Sequence, residues 1–580
     1  MGYTFGVDYY PEHWPRERWQ TDARMMREMG ITIVRMAEFS WAKWEPREGE
    51  FHFEELDEVI ALMANEGIDC ILGTPSAAPP AWIIEETPEI QPLDSHLQRH
   101  YFGGRHHDCQ SNAQYRAHIR RFVTAYARHF AANPHVVGWQ VDNELGNSHE
   151  DLCYCPSCEA AFRQWLQKKY GSIDCLNESW GTAFWSQTYT DFEQIHAPRI
   201  TAAGKNPSQQ LDWMRFCSDL VLDFHQMQAD ILRSETPDKF ITHNMMGFSR
   251  KVDYFKLGDQ LDFTAQDQYP GGHFVPQGVF RGDIQAAELD FIRSLKHRPF
   301  WVMEQQSAIT GWETVGRTPK PGQLGLWAMQ SIAHGADTIV FFRWRSCVMG
   351  TEQYWHGILP HNGRPGRYYR ELKAFMQEAG PLLERLQGSV PHPEVAMLFC
   401  TRMIQQKQVL DPILFPHSRF HSFRSLRKPV QRGLLRKLLH KAICKCGGHF
   451  GADIIDGALS NLLFAYSGRT GIKFAVIGGQ DFSICHFQNI APLFAGIDIV
   501  TPANDALGIQ QTVVFRHPNA AQIIQHGRQL LLREGKVGCV LHTAAHVQNQ
   551  HAALLHIRME FFRQLFCHQE LQGRDKHSVG

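Results

Sequence analysis

Short strand-like segments and longer helix-like segments alternate along the first two thirds of the chain. The strand-like segments are apolar runs, and the helix-like ones carry apolar residues three and four positions apart. This alternation is typical of a parallel α/β sheet. Eight strand–helix pairs can be followed up to about residue 386, and that number predicts a closed (β/α)8 TIM barrel. The expected strands are 4–10, 31–36, 69–74, 136–141, 240–244, 261–266, 299–303 and 338–344.

The fourth and seventh expected strands both lead into a glutamate. Asp142-Asn-Glu144 follows the fourth strand, and Glu304 follows the seventh. Because the carboxyl ends of barrel strands form the catalytic face, the two glutamates should meet there. Two facing carboxyl groups are the equipment of glycoside hydrolysis: one protonates the leaving oxygen and the other attacks the sugar or activates water. For either glutamate alone, a solvated strand-end residue is the alternative.

Longer motifs make this pattern specific. They are Gly6-Val-Asp-Tyr-Tyr-Pro-Glu-His-Trp14, Arg35-Met-Ala-Glu-Phe-Ser-Trp41, Val141-Asp-Asn-Glu144, Val302-Met-Glu-Gln305 and Glu352-Gln-Tyr-Trp-His-Gly357. Up to about residue 400 the chain resembles the β-galactosidases of glycoside hydrolase family 42. The resemblance implies a retaining mechanism, with Glu144 as general acid/base and Glu304 as nucleophile. Carboxyl groups about 5–5.5 Å apart would fit retention and about 6.5–9.5 Å inversion, and the acid should have the higher pKa.

The resemblance also implies which residues bind the sugar. Asn143 should hydrogen-bond the 2-hydroxyl, a contact that strengthens in the transition state. Arg105 should hold hydroxyls of the same ring and the charge of the nucleophile. Without the resemblance, Arg105 would be assigned to a surface salt bridge.

Four further sugar-binding residues follow from the same resemblance. Trp312 is expected to form an aromatic platform against the apolar face of the ring. Glu352 and His356 should hold the hydroxyls that distinguish galactose, with Trp355 lining the same pocket. Taken alone, Trp312 would be assigned to loop packing and Glu352 to an exposed carboxylate.

Four cysteines form a second pattern. Cys153, Cys155 and Cys158 lie directly after the fourth strand, and Cys109 can join them from the preceding rim loop. Four thiolates suit a tetrahedral structural zinc site, which has no open position and would brace loops rather than catalyse. Disulfides or unligated thiols are the alternative. The cluster is similar to the zinc site of part of the family.

Composition bounds the partners. The formal net charge of −2 over 580 residues gives no sign of a nucleic-acid or membrane partner. No apolar run reaches the roughly 20 residues that span a bilayer. The first residues have neither the basic nor the apolar region of a cleaved signal, so we expect a cytoplasmic protein.

The composition changes near residue 400. Trp355 is the last of the 15 tryptophans, and residues 401–450 contain many basic residues but only Asp411 as an acid. We therefore divide the chain into a barrel domain, 1–390, and a smaller atypical α/β domain, 391–580. Family members usually continue into a domain that mediates homotrimer contacts, here of the flavodoxin-like type, and residues 393–399 still resemble its first strand. Because that resemblance then ends, the homotrimer is in doubt for this chain.

Three explanations of the altered segment remain open. It is a basic tail for an anionic partner, the solvated surface of a divergent domain, or a C-terminus changed by shifted reading frames. We favour the third, because islands at 451–456 and 534–541 still resemble fragments of an α/β domain.

Three functions correspondingly remain open. The favoured one is a retaining β-galactosidase acting on a β-galactoside. A second is another retaining barrel glycosidase that acts on a β-glucoside or an α-L-arabinoside. The third is an inactive, sugar-binding product of a frame-shifted gene.

Overall fold

The structure is a computed structural model that describes residues 3–146, 152–249, 251–271, 282–311 and 315–391, and the backbone of five short strands further on. Nine parallel strands in its first part form one sheet. They are β1 (Phe5–Asp8), β2 (Ile33–Met36), β3 (Asp69–Gly73), β4 (Val136–Gln140), β5 (Phe240–Thr242), β6 (Asn244–Met245), β7 (Ala265–Gln268), β8 (Phe300–Gln306) and β9 (Ala336–Phe342).

The sheet closes on itself through its fifth strand. Hydrogen-bonded neighbours follow the order β5-β4-β3-β2-β1-β9-β8-β7-β6. The two ends of this order, β5 and β6, are consecutive in the chain and are separated by His243. Since β5 pairs with β4 and β6 pairs with β7, the two segments together serve as the fifth of eight barrel strands. The predicted (β/α)8 barrel is confirmed.

Helices alternate with the strands around this sheet. They are α1 (Arg16–Met29), α2 (Trp41–Trp44), α3 (Glu54–Asn65), α4 (Ala81–Glu86), α5 (Ala113–Phe130), α6 (Pro156–Tyr170), α7 (Ile173–Trp180), α8 (Pro207–Glu235), α9 (Tyr254–Gln260), α10 (Gly282–Lys296), α11 (Gln323–Ala333) and α12 (Arg367–Leu386). The apolar residues of α3 that were predicted to share one face, such as Leu56 and Ile60, are buried. Among the helices that the structure describes, none is both long and apolar enough to cross a membrane.

The strand register places polar side chains beside each other. Asp8 of β1 lies next to Arg35 of β2, and Asp267 of β7 lies next to Glu304 of β8. All four residues are buried. Burying a charged group is costly unless it is paired, so hydrophobic packing does not explain why charged residues stand at these four positions.

Two of the expected strands differ from the structure. The predicted fifth strand, 240–244, is interrupted at His243, and the predicted sixth strand, 261–266, is replaced by β7 at Ala265–Gln268. β7 is buried although three of its four residues are polar. The predicted strand begins too early because Leu261 and Phe263 are apolar. The strand in the structure instead carries polar side chains into the barrel mouth.

The chain divides into two compact units, one formed by Met1–Pro391 with Ile404–Ser418 and the other by His392–Met403 with Arg419–Gly580. In the second unit the described strands are β10 (Leu462–Ser467), β11 (Gly471–Val476), β12 (Asp498–Ile499), β13 (His542–Ala544) and β14 (Leu555–Ile557). β10 pairs antiparallel with β11, β11 pairs parallel with β12, and β13 pairs antiparallel with β14. The flavodoxin-like domain and the shifted reading frames fall largely outside the described residues, and the domain boundary near residue 390 stays a prediction.

Candidate active site

The two predicted glutamates meet at the mouth of the barrel. Glu144 follows β4 and Glu304 lies within β8, and the two glutamates are only 4% and 5% exposed to solvent. One carboxylate oxygen from each of Glu144, Asp267 and Glu304 lies within 4.8 Å of the other two. Because all barrel strands are parallel, the ends of β4, β7 and β8 bring these carboxyl groups together on the face where barrel enzymes carry out chemistry.

An unusual turn carries Glu144. Asp142 and Glu144 have φ values of 58° and 46°, in the left-handed region that side chains other than glycine seldom adopt. Side chains from other strands hold the turn. The Asp142 N–H donates to Oγ1 of Thr74 at 2.7 Å, and the Glu144 N–H donates to Oδ1 of Asn244 at 3.0 Å. Because the surrounding barrel supplies these acceptors, the turn is imposed by tertiary structure rather than by local preference.

Glu304 is surrounded by hydrogen-bond donors. Nη2 of Arg35 donates to Oε1 at 2.7 Å, Nδ2 of Asn244 donates to the same oxygen at 3.3 Å, and the Tyr269 hydroxyl donates to Oε2. Burial raises the pKa of Glu304 to about 7, with Glu144 pushing in the same direction, while Arg35 and Tyr269 oppose the rise. Burial therefore explains the raised pKa of Glu304, and the lower pKa of this carboxyl relative to that of Glu144 stays a prediction.

The guanidinium of Arg35 is shared among several acceptors. It contacts Asp8 at 2.8 Å, Glu38 at 3.0 Å and Glu304 at 2.7 Å, and it donates to Oε1 of Gln140 at 2.9 Å. Arg35 itself is fully buried. A planar guanidinium presents donors in several directions, which lets one cation hold three carboxylates in place.

Arg105 pairs with Glu144 rather than with Glu304. Its Nη2 donates to Oε2 of Glu144 at 2.6 Å. The nearby carboxylates of Glu144, Glu352 and Glu304 together raise the pKa of Arg105 against the effect of burial. The hydrogen-bonded partner of Arg105 is therefore the acid/base candidate and not the nucleophile candidate, and its role in binding the sugar stays a prediction.

Asn143 lies buried beside the carboxyl group of Glu144. Its Oδ1 accepts a hydrogen bond from Nδ2 of Asn244 at 2.9 Å, and its Nδ2 lies 3.4 Å from Oε2 of Glu144. Asn244 thus orients the amide so that its NH2 group faces the acid/base candidate. An amide donor in this position can reach a hydroxyl of a ring that lies between Glu144 and Glu304.

The loop after β9 contributes the remaining described candidates. Oε2 of Glu352 accepts from Arg343 at 3.2 Å. Trp355 is buried and meets the ring of Tyr269 edge to face at a centroid distance of 5.0 Å, which connects it to Glu304 through Tyr269. Burial lowers the pKa of the half-buried His356, which favours the neutral imidazole. The predicted platform residue, Trp312, lies outside the described residues.

Sequence reasoning missed four residues of the site as candidates: Arg35, Asn244, Asp267 and Tyr269. Each lies on or next to a barrel strand, and the first three are buried. A signal was present in β2, where an arginine interrupts an apolar run whose position in the barrel demands burial. The predicted sixth strand, 261–266, ends before Asp267, so Asp267 was not expected on a barrel strand. Burial and the neighbouring Glu304 and Glu144 raise the pKa of Asp267 well above its ordinary value, which favours the neutral acid.

The four predicted cysteines come together. One sulfur from each of Cys109, Cys153, Cys155 and Cys158 lies within 4.8 Å of the others, and Cys109 is 3.4 Å from Cys155 and 3.5 Å from Cys158. A tetrahedral ion with metal–sulfur bonds of about 2.3 Å would separate its sulfurs by about 3.8 Å. All eight cysteines in the described part of the chain are free of disulfides. The cluster therefore has the donor set and the size to bind a metal ion.

A family model with the description beta-galactosidase matches residues 8–381, which include strands β2 to β9 and both glutamates. The chain belongs to glycoside hydrolase family 42. Family 42 membership agrees with the motifs that carried the resemblance and with the carboxyl pair at the barrel mouth.

Individual family 42 relatives support the same assignment. The chain is 44% identical to a beta-galactosidase of Thermus thermophilus over 388 residues, which are 65% of this chain and 60% of that protein. The structure of a polyextremophilic beta-galactosidase from Halorubrum lacusprofundi superposes with a TM-score of 0.68 at 38% identity, and the match covers 72% of this chain and 63% of that one. A beta-galactosidase structure from the psychrophilic Marinomonas ef1 gives a TM-score of 0.68 at 34% identity, covering 76% and 68% of the two chains.

The match does not extend over whole relatives. The chain spans about 60% of the length of the Thermus thermophilus protein. What family 42 membership establishes is therefore the barrel.

Proposed function

We propose that this chain hydrolyses terminal non-reducing β-D-galactose residues with retention of configuration. One observation carries the proposal: a carboxylate oxygen of Glu144 lies within 4.8 Å of one of Glu304. Inverting glycosidases hold their carboxyl groups about 6.5–9.5 Å apart to leave room for a water molecule, whereas retaining ones hold them about 5–5.5 Å apart. The close approach supports direct attack by one carboxylate. Galactose as the sugar is supported by the name beta-galactosidase that the relatives bear.

In the first step, the Glu304 carboxylate attacks the anomeric carbon while Glu144 gives its proton to the glycosidic oxygen. The bond to the leaving group breaks, and a galactosyl ester of Glu304 forms. Arg35 and Tyr269 donate hydrogen bonds to Glu304 and so favour its ionised form in a buried site. The same donors fix the direction of attack, because both oxygens of the carboxylate are held.

In the second step, Glu144 acts as a base. It takes a proton from a water molecule whose oxygen attacks the anomeric carbon, and Glu304 leaves as a carboxylate. Two inversions at one carbon give net retention. Arg105 lies 2.6 Å from Glu144 and stabilises the carboxylate that Glu144 becomes after each protonation of a leaving group.

The remaining candidates are assigned to the galactose ring. Asn143 donates to the 2-hydroxyl, Glu352 and His356 bind the hydroxyls that distinguish galactose from glucose, and Trp355 lines their pocket. Trp312 is assigned to the apolar face of the ring. The hydrogen bond from Arg343 holds Glu352 in place and supports its assignment as a charged acceptor for sugar hydroxyls.

The test is the hydrolysis of nitrophenyl β-D-galactoside by the full chain and by Glu304→Ala. We expect turnover by the unaltered protein, loss of at least about 10³-fold in the variant, and partial recovery with azide. Azide attacks from the face that the missing carboxylate leaves open, so the product should be the α-galactosyl azide. Glu371→Gln, which alters a glutamate of α12 paired with Arg367, is a matched control that should keep full activity.

Other results would favour the alternatives. Faster turnover of nitrophenyl β-glucoside or α-L-arabinoside than of the galactoside would make this a retaining glycosidase of different specificity. A folded protein that cleaves none of the three would favour the inactive, sugar-binding product. An azide product of β configuration would reverse the roles of Glu144 and Glu304.

We also propose that the four cysteines bind one structural zinc ion. The near contact of the four sulfurs supports this assignment, because zinc prefers a closed tetrahedron of thiolates. The ion would hold Cys109, which precedes α5, against the segment that leads into α6. Bound zinc supplies no open coordination position there, so it braces these loops and takes no part in the sugar chemistry.

Two further proposals concern the cellular compartment and the oligomeric state. The cytoplasm is proposed as the compartment, since the free cysteines of the described residues fit a reducing environment. The family resemblance carries the expectation of a homotrimer, and light scattering on the purified chain would measure the oligomeric state directly. A monomer would remove that expectation for this chain.

A further inference from the structure

His243 interrupts the fifth barrel strand and contacts the turn that carries Glu144. Its side chain is fully buried between β5 and β6. Nδ1 lies 2.8 Å from the carbonyl oxygen of Val141, and the backbone N–H of Leu145 donates to Nε2 at 3.1 Å. The imidazole therefore contacts the chain on both sides of the segment 142–144.

These two contacts define the protonation of the ring. A carbonyl oxygen can only accept, so Nδ1 must carry a proton, and a backbone N–H can only donate, so Nε2 must carry none. The neutral Nδ1–H tautomer satisfies both partners and the imidazolium satisfies one. Burial also favours the neutral ring and lowers the pKa of His243 to about 4, while the hydrogen bond to the Val141 carbonyl and the charge of Glu144 oppose this shift and Arg35 adds to it.

The segment between the two contacts needs such support. Asp142 and Glu144 both have positive φ, which is unfavourable for residues with a side chain. Thr74 and Asn244 hold the N–H groups of these two residues. His243 ties together the residues on either side, so the backbone cannot relax toward ordinary values without breaking one of its hydrogen bonds.

We propose that His243 is a positioning residue, whose neutral imidazole ties Val141 to Leu145 and thereby holds the Glu144 carboxyl where it can protonate the leaving group. The inference rests on the proposed function of Glu144 and adds a residue that acts through it. His243 is proposed to act only through the turn and not by touching the reacting atoms. Its loss should therefore weaken proton donation more than nucleophilic attack.

The test compares substrates that differ in their need for a proton. Dinitrophenyl β-galactoside releases a stable phenolate without protonation, whereas phenyl β-galactoside needs the acid. In the full chain, His243→Leu should lower kcat/KM for phenyl β-galactoside by about 10²-fold, within the range of general acid catalysis, and for the dinitrophenyl substrate by less than about 10-fold. The ratio of the two values is the readout, because a general loss of folded protein lowers both equally.

His225 supplies the matched control. It is also a fully buried histidine, its ring lies 5.9 Å from that of His243, and Nδ1 lies 2.7 Å from Oε1 of Gln260. His225→Leu removes a comparable imidazole from the same layer and leaves both contacts of His243 in place. It should lower the two kcat/KM values by the same factor.

Conservative variants keep the test decisive if His243→Leu fails to fold. The amide oxygen of Gln can occupy the place of Nε2 and accept from Leu145, while the amide of Asn reaches only the place of Nδ1. We expect His243→Gln to restore the substrate ratio to within a few-fold and His243→Asn to restore it less. Equal ratios in unaltered protein and every folded His243 variant, or an equally large change of the ratio in His225→Leu, would overturn the proposal.

Hydrogen exchange separates this inference from the proposed function. The Leu145 amide should exchange at least about 10-fold faster in His243→Leu, because this variant removes the acceptor of the Leu145 N–H. If His243→Leu does not fold, the same increase is expected in His243→Asn. The amide should remain protected in His225→Leu, which keeps the acceptor. This result does not depend on turnover. If the unaltered protein cleaves no β-galactoside but the exchange result holds, the proposed function fails while the tie across the turn stands. Unchanged exchange in the His243 variants would contradict the tie itself.

Discussion

Arg35 and Glu304 are joined by a hydrogen bond of 2.7 Å from Nη2 to Oε1, across 269 positions of sequence and away from solvent. The same guanidinium contacts Asp8 and Glu38. One buried cation thus faces three carboxyl groups, so the placement of the nucleophile candidate depends on residues of β1 and β2 as well as on its own strand.

Removing this cation should destabilise the fold as well as the site. Arg35→Met would leave buried carboxyl groups without their counterion, and we expect a loss of about 3–5 kcal/mol in the free energy of unfolding. Arg16→Met is the control, because Arg16 pairs with Glu58 at the surface and its loss should cost no more than about 1 kcal/mol. Guanidinium unfolding followed by circular dichroism measures both. Similar losses in the two variants would contradict the importance of the buried pair.

Tyr269→Phe should move the acid limb of the pH profile. The hydroxyl donates to Glu304 and lowers a carboxyl pKa that burial has raised to about 7. The donor favours the ionised carboxylate, so its removal raises the pKa further. Because attack requires the ionised form, the acid limb of kcat/KM should move to higher pH by about 1–2 units, which corresponds to a hydrogen bond to a charged group.

Tyr170→Phe is a suitable control for that shift. Tyr170 also donates to a buried carboxylate, Asp212, at 2.6 Å, but on helix α6. Its removal should leave the pH profile unchanged. An acid limb that stays in place in Tyr269→Phe would show that Glu304 does not control it.

Glu352→Gln should weaken the preference for galactose. A charged acceptor that binds sugar hydroxyls contributes about 1.5–3 kcal/mol, equivalent to roughly 10- to 100-fold in kcat/KM. If Glu352 binds the hydroxyls that distinguish the sugars, the ratio of nitrophenyl β-galactoside to β-glucoside hydrolysis should fall by a similar factor. A uniform loss on both substrates would instead assign Glu352 to holding Arg343.

Zinc content should follow the clustered cysteines. We expect about one zinc per chain by elemental analysis, and its loss in Cys158→Ser together with a lower thermal midpoint. Cys175→Ser is the control, since Cys175 is exposed on α7 and lies outside the cluster. Protein that contains no zinc after purification with zinc supplied would contradict the site.

Glu144, Glu304, Cys153, Cys155 and Cys158 could be predicted because their signals are local. A glutamate that ends an apolar strand and cysteines two or three residues apart are visible in a short stretch of sequence. The eight strand–helix pairs were visible for the same reason, since each depends on the periodicity of its own segment. Strand six was misplaced because β7 carries Gln266, Asp267 and Gln268 into the site, against the apolar pattern that marks a buried strand.

Local sequence patterns were enough to predict the barrel and to single out Glu144 and Glu304 at its mouth. The surroundings of these two glutamates depend on tertiary structure. Arg35 from β2, Asn244 from β6 and Tyr269 beyond β7 meet Glu304 because the closed sheet brings distant strand ends together. The folded arrangement also pairs Arg105 with Glu144 rather than with Glu304. Hydrogen bonding and charge act over a few ångströms in space, whatever the separation in sequence, so these partners follow from the folded arrangement.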